Sequence, residues 1–202
     1  MDSDLQTERL DRVFDFLIAR GARSVLDLGC GNGDLLLRLA RDPQIERIVG
    51  IDIDERALVD ARRRLGLNPD EVDARVRVMN ASFEVDDAAM VGFDAAVLLE
   101  TIEHIEPSRL SRVESAVFGG YRPATVIVTT PNQEYNVLYG LLPGDMRHPG
   151  HFFEWNRAKF RRWAAGVAGR NGYDVYFDEV GDYDPARGAP TQMARFIRIG
   201  GV

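Results

Sequence analysis

The chain has 202 residues, 45% of them apolar, which is enough for one domain with a buried core. One cysteine, Cys30, excludes a disulfide framework and points to a reducing, cytoplasmic compartment; no apolar run approaches the roughly 20 residues that span a bilayer, and the acidic start Met1-Asp2-Ser3-Asp4 lacks the order of a signal peptide. The net charge of −7 excludes a general nucleic-acid coat, which is basic, but not a protein that grips only the end of an RNA, where few phosphates need neutralising.

In chain order, apolar residues at helical spacing (Leu10, Val13, Phe14, Leu17, Ile18) predict a helix from Leu5 to Ile18. Ser24 to Leu28 reads as a buried strand, followed by the loop Gly29-Cys30-Gly31-Asn32-Gly33 and a helix from Asp34 to Arg41. Arg47 to Asp52 is a second strand, and Asp54 caps a helix to about Leu65. Arg75 to Met79 and Asp94 to Leu99 are the third and fourth strands. Pro107 opens a helix that Gly119-Gly120 ends. Thr125 to Thr130 is a β-branched fifth strand, Asn156 caps a helix to about Arg170, and Tyr173 to Phe177 and Met193 to Ile199 close the chain as strands. Alternating strands and helices predict an α/β fold of one domain, 1–202, with a mainly parallel, doubly wound sheet. A last strand–loop–strand with no helix between predicts a final antiparallel hairpin.

The glycine loop lies between a strand and a helix, where the backbone can approach a ligand closely. Asp52, at the end of the next strand, is placed to accept hydrogen bonds from both ribose hydroxyls of an adenosine. NAD and S-adenosylmethionine are the two candidates. Asp27, ahead of the glycines, would repel a pyrophosphate and suits the cationic amino acid part of S-adenosylmethionine. The run Leu26 to Gly33 resembles motif I of class I methyltransferases, as does a seven-stranded sheet ending in an antiparallel hairpin. Under that resemblance Gly29 and Gly31 line the methionine part, Asp52 holds the ribose, and Ser82 and Phe83 lie near the adenine. Asp94 is an alternative adenine contact, read here as the structural start of a strand.

Glu100, Glu103 and His104 follow the fourth strand. On a helical turn, positions i, i+3 and i+4 share one face, so their heads converge. An oxygen-rich set of this kind suits Mg²⁺ or Mn²⁺ better than structural zinc. The remaining histidines, His148 and His151, sit in one short loop ahead of Phe152-Phe153-Glu154-Trp155, and one of them can complete the site. The neighbouring aromatics favour His151, with His148 as the alternative ligand or an RNA contact. At least two of Phe152, Phe153 and Trp155 are expected to be plain packing. Between Met146 and Arg170 the charge reverses, with six basic residues (Arg147, Arg157, Lys159, Arg161, Arg162, Arg170) against Glu154. This is the best stretch for phosphate contact.

These residues resemble the Hua-enhancer-type 3′-terminal RNA ribose 2′-O-methyltransferases. The segments that carry the resemblance are Glu100-Thr101-Ile102-Glu103-His104, Thr130-Pro131-Asn132-Gln133-Glu134-Tyr135-Asn136, and Arg147-His148-Pro149-Gly150-His151-Phe152-Phe153-Glu154-Trp155. The resemblance implies Glu100, Glu103, His104 and His151 as metal ligands, and an RNA 3′ end with free 2′ and 3′ hydroxyls as substrate. It also implies, for the bacterial branch, an RNA-repair kinase or ligase as partner. Pro149-Gly150 departs from the pattern, which has a polar and an acidic residue there. His104 or His151 is expected to help remove the hydroxyl proton, Asn132, Tyr135, Asn136 and His148 to contact sugar or base, and Arg147 and Arg157 to contact phosphate. The competing readings are a metal-assisted O-methyltransferase for catechol- or quinone-precursor-type small molecules and a non-catalytic RNA- or partner-binding module.

Overall fold

The computed structural model describes residues 2–67 and 75–200. Seven strands form one sheet: β1 (Ser24–Leu28), β2 (Arg47–Asp52), β3 (Val76–Asn80), β4 (Ala95–Leu99), β5 (Thr125–Pro131), β6 (Tyr173–Val180) and β7 (Thr191–Arg198). Their order is β3-β2-β1-β4-β5-β7-β6. The first five run parallel, and β7 is antiparallel to both neighbours. The expected hairpin is therefore present, and longer than the sequence suggested, because pairing continues to Val180↔Thr191.

Period-two alternation builds two cores, one on each face of the sheet. Val25, Ile48, Val97 and Ile127 pack with Leu10, Val13 and Leu17 of α1 (Asp2–Ala19), Leu35, Leu36 and Leu39 of α2 (Asp34–Arg41), and Leu58 of α3 (Glu55–Leu65). On the other face Leu26, Val49, Leu98 and Val128 pack with Val113 of α4 (Leu110–Val113) and with Phe160 and Val167 of α5 (Arg157–Asn171). Almost every strand residue of β1, β4 and β5 is buried, as a central strand covered on both faces requires.

Two expectations are corrected. Gly119-Gly120 do not end the helix after Pro107. A 3₁₀ turn (Pro107–Arg109) leads into α4, which widens into a π-helical segment, Glu114–Tyr121, ending at Arg122 with φ 48°. Gly120 sits against the Asp86 carboxylate, where a Cβ would lie 2.3 Å from an oxygen, so this glycine serves packing rather than termination. Arg75 lies just before β3, and its guanidinium donates to the carbonyls of Ala40 and Ile45. Among the described residues no helix is long and apolar enough to cross a membrane.

Candidate active site

The C-terminal ends of β1, β2 and β4 open on a cleft of about 400 Å³. One wall carries Gly29, Gly31 and Asp52, and Ser82 and Phe83 follow β3. Gly29 has φ +83°, and a Cβ there would meet the Thr101 methyl at 2.5 Å, so both its conformation and its neighbour exclude a side chain. Thr101 is itself held by its hydroxyl, whose single proton is shared between the carbonyls of Leu28 at 3.3 Å and Leu99 at 3.1 Å. At Gly31 (φ +51°) nothing lies within 4 Å of a Cβ, and the empty side faces ligand space. Asp52 accepts from the Gly31 N–H at 2.8 Å and the Asp54 N–H at 2.9 Å, so the carboxylate shapes the loop as well as facing the cleft.

Asp27 stands apart. It is buried beneath the loop, 2% exposed, and is not on the cleft wall. Burial first, and then the charges of Asp52 and Asp34, push its carboxyl up to about 7. Ile53, Thr101 and Arg109 also line the cleft. The sequence reading did not select them. The exposed apolar Ile53, directly after Asp52, was the available signal, whereas Arg109 is placed by its paired bonds to Glu84 across 25 residues.

The opposite wall of the same cleft carries Glu100 and His104. The expected helical turn is absent. Glu100 has φ 51°, a left-handed conformation, and only Ile102–His104 form a short 3₁₀ turn. The Glu100 N–H donates to Thr129 Oγ1, which holds the bend. Each head group is then set by a distant partner. Arg9 Nη2 lies 2.9 Å from Glu100 Oε2. Thr130 Oγ1 donates to Glu103 Oε2 at 2.9 Å. Glu103 is fully buried, and burial together with the Glu100 charge raises its carboxyl well above the usual range. The second oxygen of each carboxylate, Oε1, is buried with no hydrogen-bond partner. Two such oxygens are costly without a compensating charge.

His104, His148 and His151 bring one ligand atom each to within 4.8 Å of one another, whereas Glu100 and Glu103 stand outside that group. The imidazoles are thus gathered, Glu100 lies on the cleft wall and Glu103 is buried off it, and the carboxylates do not join one tight set of four. The hydrogen bonds assign the ring tautomers. His104 Nδ1 is 3.0 Å from the Gly150 carbonyl, which only accepts, so Nδ1 carries the proton and Nε2 a free lone pair. His151 Nδ1 is 2.6 Å from Glu154 Oε1, so its Nδ1 likewise carries a proton. In His148, Nδ1 instead accepts from the Gly150 N–H at 3.0 Å. Burial, and then the neighbouring His151, lowers the pKa of His104 and favours its neutral form. Gly150 fits here because a Cβ would press on His148 Nδ1 at 3.0 Å and His104 Nδ1 at 3.4 Å. An unpartnered carboxylate oxygen on each glutamate, the Nε2 lone pair of His104 and the Nε2 atom of His151, whose Nδ1 is tied to Glu154, are groups of the kind a divalent cation takes.

Several residues expected to touch RNA are committed elsewhere. Asn132 is buried, donating to the carbonyls of Arg187 and Ala189 and accepting from the Glu134 N–H. Asn136 is buried against Glu154 and Arg147. Arg147 spends its guanidinium on Asn136 Oδ1 and the carbonyls of Pro190 and Asn132. Arg157 is paired with Glu134. Tyr135 lies in a separate groove beside Leu5 and Pro190, its ring 5.3 Å from that of Tyr139. Asn132, Asn136 and Arg147 are structural, because buried polar groups must find partners inside the fold, whereas Arg157 and Tyr135 stay partly exposed. His148 is exposed. Phe153 and Trp155 are buried and stacked at 4.2 Å, while Phe152, the third aromatic, is 54% exposed.

A family model described as a methyltransferase domain matches residues 25–123. The crystal structure of the methyltransferase domain of bacterial CtHen1-CN is 40% identical to this chain, covers 96% of it and 99% of its own length, and superposes with a TM-score of 0.85. The small RNA 2′-O-methyltransferase of Mus musculus is 35% identical over 98% of this chain. The chain belongs to the family of the bacterial Hen1 methyltransferase domain. It spans about half the length of the curated relatives it matches, 52% for the mouse protein. A chain of the Pnkp1/Rnl/Hen1 RNA repair complex shares the fold, with a TM-score of 0.70 at 21% identity. The match to the bacterial domain and the mouse protein covers both walls of the cleft, so the family resemblance first seen in three short segments extends over nearly the whole described fold.

Proposed function

We propose that this chain transfers the methyl group of S-adenosylmethionine to the 2′-hydroxyl of the 3′-terminal ribose of an RNA, with Mg²⁺ or Mn²⁺ held by Glu100, Glu103, His104 and His151. One observation carries the reading. Glu100 and His104 belong both to the glycine-loop cleft and to the carboxylate–imidazole cluster, so a donor in the cleft and a sugar at the cluster would meet. The relative named a small RNA 2′-O-methyltransferase supports RNA as substrate.

In this reading Gly29 and Gly31 admit the cofactor, and Asp52 and Phe83 bind its adenosine part. A divalent cation at the cluster supplies Lewis-acid stabilisation of negative charge on a ribose oxygen. The protein's own part is positioning. Arg9 and Thr130 aim the two carboxylates, and the Gly150 carbonyl aims the ring of His104. Each ligand imidazole has one free lone pair, on Nε2, so a ring spent on the ion cannot also take the hydroxyl proton. In this reading neither ring is the base, and the 2′-hydroxyl proton leaves to solvent water. Phe152 offers an exposed ring for the terminal base, and Arg162, which has no ion-pair partner among the described residues, a phosphate contact. We extend the proposal to a cytoplasmic setting and an RNA-repair kinase or ligase as partner, supported by the name of the repair complex that shares the fold.

The test is labelled-methyl transfer to a short RNA with a free 3′ end, a 3′ phosphate or a terminal 2′-deoxyribose, with and without added cation. Transfer to the free end alone, abolished by EDTA, is expected. Transfer to the 2′-deoxy end would overturn the assigned atom, and full turnover in EDTA would overturn the role of the metal.

A further inference from the structure

We infer that Glu154 is the positioning residue that makes His151 a metal ligand, and that Asn132, Asn136 and Arg147 act on the site through it. The inference rests on the metal reading above and goes further, to the residues that select one histidine over another. The Glu154 side chain is fully buried, and that of His151 is 7% exposed. Every face of the carboxylate is engaged. Oε1 accepts from His151 Nδ1 at 2.6 Å and from the Arg147 N–H at 2.7 Å, and Oε2 accepts from Asn136 Nδ2 at 2.6 Å. A carboxylate so placed is not a substrate contact. It fixes the rotation of the imidazole and holds its proton on Nδ1.

The carboxylate is in turn braced. Arg147 Nε donates to Asn136 Oδ1 at 2.7 Å and Nη2 to the Asn132 carbonyl at 2.6 Å, while Asn132 ties this segment to Arg187 and Ala189, ahead of β7. The brace runs from the edge of the sheet to one ring. His148 has the same loop but no carboxylate. Its Nδ1 accepts from the Gly150 N–H, so the neutral ring carries its proton on Nε2 and offers a donor where His151 offers a lone pair. The tautomers, set by different partners, decide between two histidines three residues apart.

The experiment measures Mn²⁺ affinity by the EPR signal of free ion, alongside S-adenosylmethionine affinity and thermal melting. Glu154→Gln should weaken Mn²⁺ binding by about 10- to 100-fold and leave S-adenosylmethionine affinity unchanged. A second variant, Asn136→Asp with Glu154→Gln, restores the donor–acceptor pairing between the two side chains while moving the negative charge off His151. It should melt like the wild type and still bind Mn²⁺ weakly. Wild-type affinity in that folded variant would overturn the inference while leaving the metal reading intact. Absence of Mn²⁺ binding by the wild type itself would overturn the metal reading and the inference with it. An independent measurement needs no substitution: imidazole ¹⁵N shifts should show His151 protonated on Nδ1 and His148 on Nε2. A His151 protonated on Nε2 would overturn the assignment.

Discussion

The two walls of the cleft are built in different ways. The glycine-loop wall is made of backbone: Gly29 at φ +83°, Gly31 at φ +51°, and two N–H groups pinned by Asp52. Its parts lie within about 25 residues of one another. The carboxylate–imidazole wall is made of side chains, each aimed by a partner far away in sequence: Arg9 for Glu100, Thr130 for Glu103, Gly150 for His104. A backbone site comes with the strand–turn–helix that forms it. A side-chain site needs the whole sheet first, because β5, the 132–156 segment and α1 must all arrive before any head group is oriented. Under the proposed function, the first wall is therefore the general part of this fold and the second the part that selects a reaction.

The comparison predicts graded effects. The largest should come from the second wall. Glu103→Gln or His104→Ala should lower kcat/KM by more than about 100-fold, read by labelled-methyl transfer, while cofactor binding by calorimetry stays near wild type. A parallel loss of cofactor affinity would mean that the walls are not separable. Next, Gly29→Ala should cost more stability than Gly31→Ala, measured by denaturant unfolding. Both pay about 1–3 kcal/mol for a non-glycine residue in left-handed backbone, but only Gly29 adds a clash with Thr101. Equal losses would show that Thr101 moves aside.

The third effect concerns pH. Asp27 is raised to about 7 in the folded chain, against 3.8 when free. The folded state thus holds this proton more tightly than the unfolded one, so the contribution is present below about pH 4 and is lost as pH rises towards 7. Relative to Asp27→Asn, the wild type should lose melting temperature over that window. A constant difference would place Asp27 in a wetter site than its burial indicates. The smallest effect separates the arginines. Arg162→Ala should reduce the salt slope of RNA binding by about one with no change in melting. Arg147→Ala should lower melting, because three guanidinium hydrogen bonds are lost. A salt-slope change from Arg147→Ala with intact melting would restore it as a phosphate contact.

The residues misread from sequence share one cause. Asn132, Asn136 and Arg147 lie in segments with no periodicity, and spacing alone does not say which way a loop side chain turns. All three turned inward, where a buried carbonyl or carboxylate was available, while Arg157, at the start of α5, pairs with Glu134 and stays 26% exposed. Phe152, Phe153 and Trp155 followed the expectation that at least two would pack, since two large adjacent rings bury more readily together than three. The helical turn expected for Glu100–His104 failed because the bond from Glu100 N–H to Thr129, on the neighbouring strand, sets a left-handed bend that local spacing cannot report.

From its amino acids alone, this chain determined its seven strands, their alternating faces, the glycine turn and the acidic end of β2. These depend on periodicity and on backbone freedom, which are properties of neighbouring residues. Only the tertiary structure decided which partner each histidine Nδ1 meets, which carboxylate oxygens are left without partners, and which loop residues serve the core. Those depend on hydrogen bonds between residues up to 182 positions apart, as in Arg9 to Thr191, and such partners are chosen by packing rather than by spacing.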